Sequence, residues 1–151
     1  MKKIIATLAA LMVVAATFPA RAQLTITGEN DGATKIATLN PMTSWIYQSN
    51  GQYILAIKSS NQFDPMFWLD LGPDKDAAID TLSGLLDALK TARRGSQLEI
   101  ESQGEKYLLT RETTFGAEIW VISAVDTRRV YAGYATLDDA SMKKGLRVLR
   151  K

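Results

Sequence analysis

Cysteine and histidine are both absent from the 151-residue sequence. Without cysteine, the chain cannot form a disulfide or carry a lipid anchor attached through that residue. Without cysteine and histidine, the sequence excludes Ser-His and Cys-His nucleophile pairs and the usual structural zinc sites. We therefore expect packing and hydrogen bonds to stabilise the fold. Any catalysis would have to use carboxylates, hydroxyls or amines.

The first 22 residues have the three regions of a secretory signal peptide. Lys2 and Lys3 precede an apolar run from Ile4 to Phe18, and Ala20-Arg21-Ala22 supplies the small residues that signal peptidase reads. The apolar run is too short to span a bilayer comfortably, although an uncleaved N-terminal anchor is the alternative. We expect cleavage after Ala22, one mature domain from 23 to 151, and a periplasmic or secreted location.

Cleavage would change the charge balance of the protein. It would remove three of the 18 basic residues and none of the 16 acidic ones, which leaves 15 against 16 and a net charge of −1. A chain near neutrality lacks the broad positive field that nonspecific nucleic-acid binding usually requires.

Alternation of apolar and polar residues, together with turn chemistry, predicts an α+β fold with helices packed on one face of antiparallel sheets. In the first half, the predicted strands are Leu24 to Thr27, Thr34 to Leu39, Thr43 to Ser49, Gln52 to Ser59 and Met66 to Leu71. In the second half, they are Gln97 to Ser102, Lys106 to Glu112, Glu118 to Ala124 and Arg128 to Ala135. Helices are predicted from Pro73 to about Arg94, closed by Gly95, and from Leu137 to about Arg150, capped by Thr136.

The two halves of the chain share a pattern of strands followed by a helix. At an offset near 53 residues, WIYQSNGQYILAIK from Trp45 aligns with LEIESQGEKYLLTR from Leu98, and Trp68 and Trp120 each lie in an apolar strand. This predicts pseudo-repeats at about 24–95 and 96–151. Since any two amphipathic hairpins share some of this pattern, chance similarity stays open beside duplication.

Two acidic groups could carry chemistry. Glu99 and Glu101 project from one face of a strand, as a hydrolytic carboxylate pair would, but the alternation predicts a solvent-facing position with Glu101 opposite Lys106. Asp70, Asp74 and Asp76 could attract a hard cation at the start of the first helix. The helix dipole already accounts for acidic residues there, so we assign no metal, cofactor or catalytic residue.

Aromatic and basic residues suggest three binding surfaces. Tryptophans could line a glycan-binding surface, although apolar neighbours favour core packing for Trp45, Trp68 and Trp120. A second possible surface would stack on nucleic acid or sugars and consists of Arg128, Arg129, Tyr131 and Tyr134. The alternation of the strand places these side chains on two different faces, which argues against a joint surface. An anionic partner could bind the last helix, where the dipole also explains the cations Lys143, Lys144, Arg147, Arg150 and Lys151.

The first central hairpin has two apolar faces, whereas the second has one. A turn at Asn50-Gly51 places one set of apolar residues opposite another. If the helices cover the face of Trp45 and Tyr47, the other face is left without a helix. That face would be a docking site for a partner protein or a second copy, formed by Ile46, Tyr53, Leu55 and Ile57. The alternative is that the strands at 24–39 or a second layer cover it.

Together these observations favour an exported, non-catalytic module that binds a partner protein or an unknown ligand. The alternative is a carboxylate-dependent hydrolase or glycan-active protein. In outline, a chain with two units of four strands and a helix resembles nucleic-acid-binding domains of the whirly type. This resemblance implies nucleic-acid binding as a third function. The export signal and the net charge argue against it.

Overall fold

The computed structural model describes residues 32–60, 66–125 and 133–151. The predicted signal peptide and the predicted strand from Leu24 to Thr27 lie outside these ranges. Within them, eight strands form two four-stranded antiparallel sheets, and a helix follows each sheet. In each sheet the strands lie side by side in chain order. The predicted α+β class is confirmed.

The first unit consists of the first sheet and its helix, with bounds β1 Thr34–Asn40, β2 Ser44–Ser49, β3 Gln52–Lys58, β4 Met66–Gly72 and α1 Lys75–Thr91. The second unit consists of the second sheet and its helix, with bounds β5 Gln97–Ser102, β6 Glu105–Thr114, β7 Ala117–Ala124, β8 Tyr134–Asp138 and α2 Asp139–Leu149. Seven of these strands lie within a residue or two of their predicted bounds. The eighth strand begins at Tyr134, whereas the sequence predicts a start at Arg128. Arg128 lies outside the described residues.

Both helices begin later than the sequence predicts, and α1 also ends earlier. Asp74 caps α1 by accepting a hydrogen bond from the Ala77 amide at 2.8 Å, and the helix ends before Gly95, whose amide instead donates to the Arg111 carbonyl. The cap of α2 is Asp138, which accepts from the Ser141 amide at 2.6 Å. The predicted cap, Thr136, lies within β8, where a β-branched residue is favourable.

A single apolar cluster joins both sheets to both helices. The indole of Trp120, on β7, is fully buried and donates a hydrogen bond to the Leu85 carbonyl of α1 at 3.0 Å. On α2, Gly145 lies so close to the first sheet that a Cβ there would be 3.1 Å from Leu39 Cδ2 and 3.2 Å from Ile46 Cδ1. Each helix therefore contacts the unit to which it does not belong.

The two sheets also meet at the outer edge of β4. The Ser102 hydroxyl, at the end of β5, donates to the Trp68 carbonyl at 2.9 Å and accepts from the Asp70 amide at 2.8 Å. Beyond β3, the Ser60 amide donates to the Tyr134 carbonyl at 2.8 Å. The Ser102 side chain thus occupies ladder positions that the edge strand β4 would otherwise leave open.

The sequence alignment pairs hairpins at different places in the two units. At an offset of 53, the β2–β3 hairpin matches the β5–β6 hairpin, with the same turn and the same register. In order along each unit, however, β2–β3 corresponds to β6–β7, and the helices begin 64 positions apart, from 75 to 139. The shared order of strands and helix is present, and duplication stays a prediction.

Candidate functional site

The predicted docking residues lie beneath the helices. Ile46, Leu55 and Ile57 have no exposed surface and belong to the main core, and Tyr53 is half-buried against it. The approach of Gly145 to Ile46 shows the reason: α2 covers this side of the first sheet. The expected exposure of these side chains is therefore wrong, because the helices cover the face opposite to the one we assumed.

The outer face of the first sheet instead carries three half-buried aromatic side chains, Trp45, Tyr47 and Trp68, which we call the aromatic face. In register, Trp45 is opposite Ala56, which is opposite Trp68. The rings of Tyr47 and Trp68 contact each other in a tilted arrangement, with centroids 6.1 Å apart. Tilted pairs of this kind are favourable for aromatic quadrupoles.

Two fully buried residues, Ile54 and Ala56, lie on this same side of β3. Neither belongs to the cluster that joins the sheets to the helices. The first sheet therefore has a small second apolar layer outside the main core. The two tryptophans lie on the strands at either side of Ala56, so their backbones stand about two strand spacings, roughly 10 Å, apart.

A β-bulge directs Lys35 onto the aromatic face. In β1, Lys35 pairs with Tyr47 while Ala37, two residues on, pairs with Ile46 on the core side. Strict alternation would put both on one face, and the extra residue between them turns Lys35 to the other. Its Nζ lies 5.5 Å from the Trp45 ring centroid and 5.7 Å from that of Tyr47. At this exposed position, such a cation–π contact contributes about 0.5–1 kcal/mol.

At the opposite end of the face, a polar group surrounds Asp70. The Gln52 side chain donates to the Asp70 carboxylate at 2.9 Å, and amides of Gln103, in the β5–β6 turn, approach it as well. Burial raises the pKa of Asp70, and the Gln103 and Gln52 contacts oppose that increase only in part. The Gln103 Nε2 is buried and forms no well-aligned hydrogen bond within the described chain.

The other acidic candidates have ordinary surroundings. Glu99 is exposed and pairs with Lys106 at 3.6 Å, while Glu101 is also exposed and opposite Lys106 in register, as predicted. Asp74 serves as the cap of α1. No group of three side chains arranged to hold a metal ion occurs within residues 32–60, 66–125 and 133–151.

The remaining predicted aromatic and basic groups separate. Trp120 lies in the core as favoured, whereas Trp45 and Trp68 do not. Tyr134 is 57% exposed, but its predicted companions Arg128, Arg129 and Tyr131 lie outside the described residues. Within the described part of the chain, no helix is both long and apolar enough to cross a membrane.

No protein-family model matches this sequence, and neither the curated proteins nor the solved structures contain a match to it. The functional interpretation of the candidate site therefore depends on the geometry of its residues. Ring faces, one ammonium and one half-buried carboxylate can bind a ligand by stacking, by cation–π contact and by hydrogen bonding. Lys35 was not among the predicted site residues, because the alternation of the sequence does not show the bulge in β1.

Proposed function

We propose that the protein is an exported, non-catalytic binding module and that its ligand surface is the aromatic face of the first sheet. The observation that carries the proposal is the concentration of Trp45, Tyr47 and Trp68 on the side of the sheet away from the helices. Large aromatic side chains that keep partial exposure beside a few polar groups are typical of recognition surfaces. A partner protein, a second copy or a small ligand could bind by this means.

Polar groups at the two ends of the face support recognition of a specific ligand. Lys35 provides a cation near Trp45, and Asp70 provides a carboxylate two positions along β4 from Trp68. The outer face of the second sheet differs, since it carries Glu99, Glu101 and Lys106 in ordinary surface pairings. The first sheet thus places three aromatic rings on one face together with a cation and a carboxylate.

Tryptophan fluorescence tests the proposal, because Trp120 is buried and changes on ligand addition would report on Trp45 and Trp68. Peptides, oligosaccharides and organic cations would be titrated into the purified protein. We expect at least one class to shift the emission of the protein. Tyr47→Ala keeps both reporters and should reduce the response, whereas Glu99→Ala on the second sheet should not. If no class changes the emission, or if Glu99→Ala weakens it equally, the proposal fails.

A glycan-active protein is the second candidate. The observation that favours it is the pair of half-buried tryptophans in register on one face, with Ala56 between them. Indole rings separated in this way could stack on two sugar rings of one oligosaccharide that are not immediate neighbours. A response to oligosaccharides without product formation would favour glycan binding, and release of reducing ends would favour a hydrolase.

A further inference from the structure

We propose that the aromatic face contains a binding site for a small quaternary ammonium compound, and that the Lys35 ammonium group is its built-in occupant. The inference deepens the proposed function and depends on it. Lys35 Nζ lies within cation–π distance of two rings at once, Trp45 and Tyr47. Recognition of quaternary ammonium groups by aromatic cages likewise uses more than one ring within about 6 Å of the cation.

The backbone provides an independent indication that the fold specifies the position of the Lys35 side chain. The bulge in β1 breaks the alternation at a cost in ladder regularity, and its effect is to turn Lys35 toward Tyr47 rather than toward the core. Bulges commonly redirect a side chain beside a functional site. Trp68 extends the ring surface, because its centroid is 6.1 Å from that of Tyr47.

Charge also favours a cation on this face. The Asp70 carboxylate lies on the same side of the sheet as Trp68, and its contacts with Gln52 and Gln103 leave it without a cationic partner among the described residues. An anion near aromatic rings strengthens the attraction for a positive ligand. Anionic ligands would meet the same carboxylate and the negative faces of the rings.

The ligand should carry a quaternary ammonium group rather than a primary one. A primary ammonium from solution would replace Lys35 with an equivalent group and would lose its own water contacts. A trimethylammonium group has no N–H to leave unpaired and has more apolar surface for the rings. Because Lys35 is exposed, its side chain can move into water when such a ligand enters.

Choline chloride is the probe, with its neutral carbon isostere, in which a tert-butyl group replaces the trimethylammonium group, as the matched ligand. Both would be titrated into the purified protein at constant ionic strength, with binding followed by tryptophan fluorescence and calorimetry. We expect choline to bind at least about tenfold more tightly than the isostere. Equal affinities would show an apolar surface and overturn the proposal, as would the absence of choline binding.

Lys35→Met removes the built-in occupant, so we expect it to tighten choline binding by about two- to fivefold. Lys144→Met, at an exposed position on α2, is the matched control and should leave choline affinity unchanged. Tyr47→Ala should weaken choline binding by about tenfold or more. Weaker binding in Lys35→Met, or affinity that neither variant alters, would place choline elsewhere and overturn the proposal.

Two further experiments distinguish failure of the ammonium site from failure of the proposed function. Binding to phosphatidylcholine vesicles without binding to free choline would overturn it, because the proposed ligand is a free small molecule. A response of the same tryptophans to a peptide or an oligosaccharide, with none to choline, would overturn the ammonium site and leave the binding module standing. If no ligand changes the emission of these tryptophans, both the ammonium site and the proposed function are contradicted.

Discussion

The β2–β3 and β5–β6 hairpins have the same register and the same turn geometry, but they bury different amounts of their surfaces. Both turns use two residues with positive φ, at 50° and 82° for Asn50-Gly51 and at 54° and 75° for Gln103-Gly104. The first hairpin has fully buried residues on both faces, whereas the second is buried only on the side of Leu98 and Leu109. Turn chemistry therefore sets the pairing of strands, and packing partners decide which face is covered.

Aligned residues of the two hairpins consequently lie on opposite sides relative to the helices. At the offset of 53, Trp45 matches Leu98, but Trp45 lies on the outer face and Leu98 in the core. Likewise, Leu55 is buried and matches Leu108, which is half-buried on the outer side of the second sheet.

Leu55→Lys has the largest expected effect. It would place an unpaired charge in the main core, where the leucine has no exposed surface, so we expect a loss of several kcal/mol or failure to fold. Its aligned counterpart, Leu108→Lys, should cost less than about 1 kcal/mol. Chemical denaturation of both variants gives the two values. Equal losses would mean that the two hairpins do not differ in their covered faces.

The tryptophans provide the second test. Trp120→Ala should lose about 3–5 kcal/mol, because it removes a fully buried ring and the hydrogen bond to Leu85. Trp68→Ala should cost roughly 1–2 kcal/mol, since that ring is half-buried on the aromatic face. Thermal and denaturant unfolding would rank them. A larger loss for Trp68 would indicate that the aromatic face is structural rather than a binding surface.

Ser102→Ala tests the contact between the two sheets. It would leave the Trp68 carbonyl and the Asp70 amide without their hydroxyl partner, at a cost of about 1–2 kcal/mol. Ser49→Ala is the matched control at the aligned position, where no bond from the hydroxyl to another strand occurs within the described chain; we expect a change below about 0.5 kcal/mol. Hydrogen exchange should also show faster exchange at the Asp70 amide in Ser102→Ala only.

The smallest expected effect concerns two aspartates with opposite pKa shifts. Burial raises the pKa of Asp70, so its contribution to stability is greatest below the ordinary value of 3.8 and falls as pH rises through the raised pKa. The hydrogen bond from Lys143 lowers the pKa of Asp139, so its contribution is present above 3.8 and is lost as pH falls through the lowered pKa.

Asp70→Asn and Asp139→Asn should therefore change the pH dependence of unfolding in opposite directions. Near neutral pH, Asp70→Asn should relieve the cost of the charged carboxylate, and Asp139→Asn should remove a favourable ion pair. Urea unfolding from acidic to neutral pH measures both slopes. Slopes that change in the same direction would contradict the assigned causes.

Sequence patterns predicted the sheets well because strand alternation and Asn-Gly or Gln-Gly turns are local signals. Helix ends were less predictable, because several residues near each end can serve as caps. Thr136 and Asp138 both suit a cap, and pairing of β8 with β7 selects the later one. Gly95 has the φ of a helix terminator, yet its amide pairs with β6.

The candidate site was beyond the sequence for two physical reasons. Since both faces of β2 and β3 are apolar, alternation alone could not show which face the helices cover, and we assigned the wrong one. The position of Lys35 depends on the one-residue bulge between Lys35 and Ala37, which reverses the alternation of faces there, and a second shift between Thr38 and Asn40 reverses it again. Tertiary packing determines both features.

The close packing of Gly145 against Leu39 and Ile46 has a consequence for how such a chain could have arisen. A polypeptide ending after α1 would leave these two side chains in water, because the helix that covers them belongs to the other half. A polypeptide beginning at β5 would leave Trp120 without its Leu85 carbonyl. If one gene segment was copied to make this protein, its ancestral product would have had to pair with a second copy to cover the same surfaces.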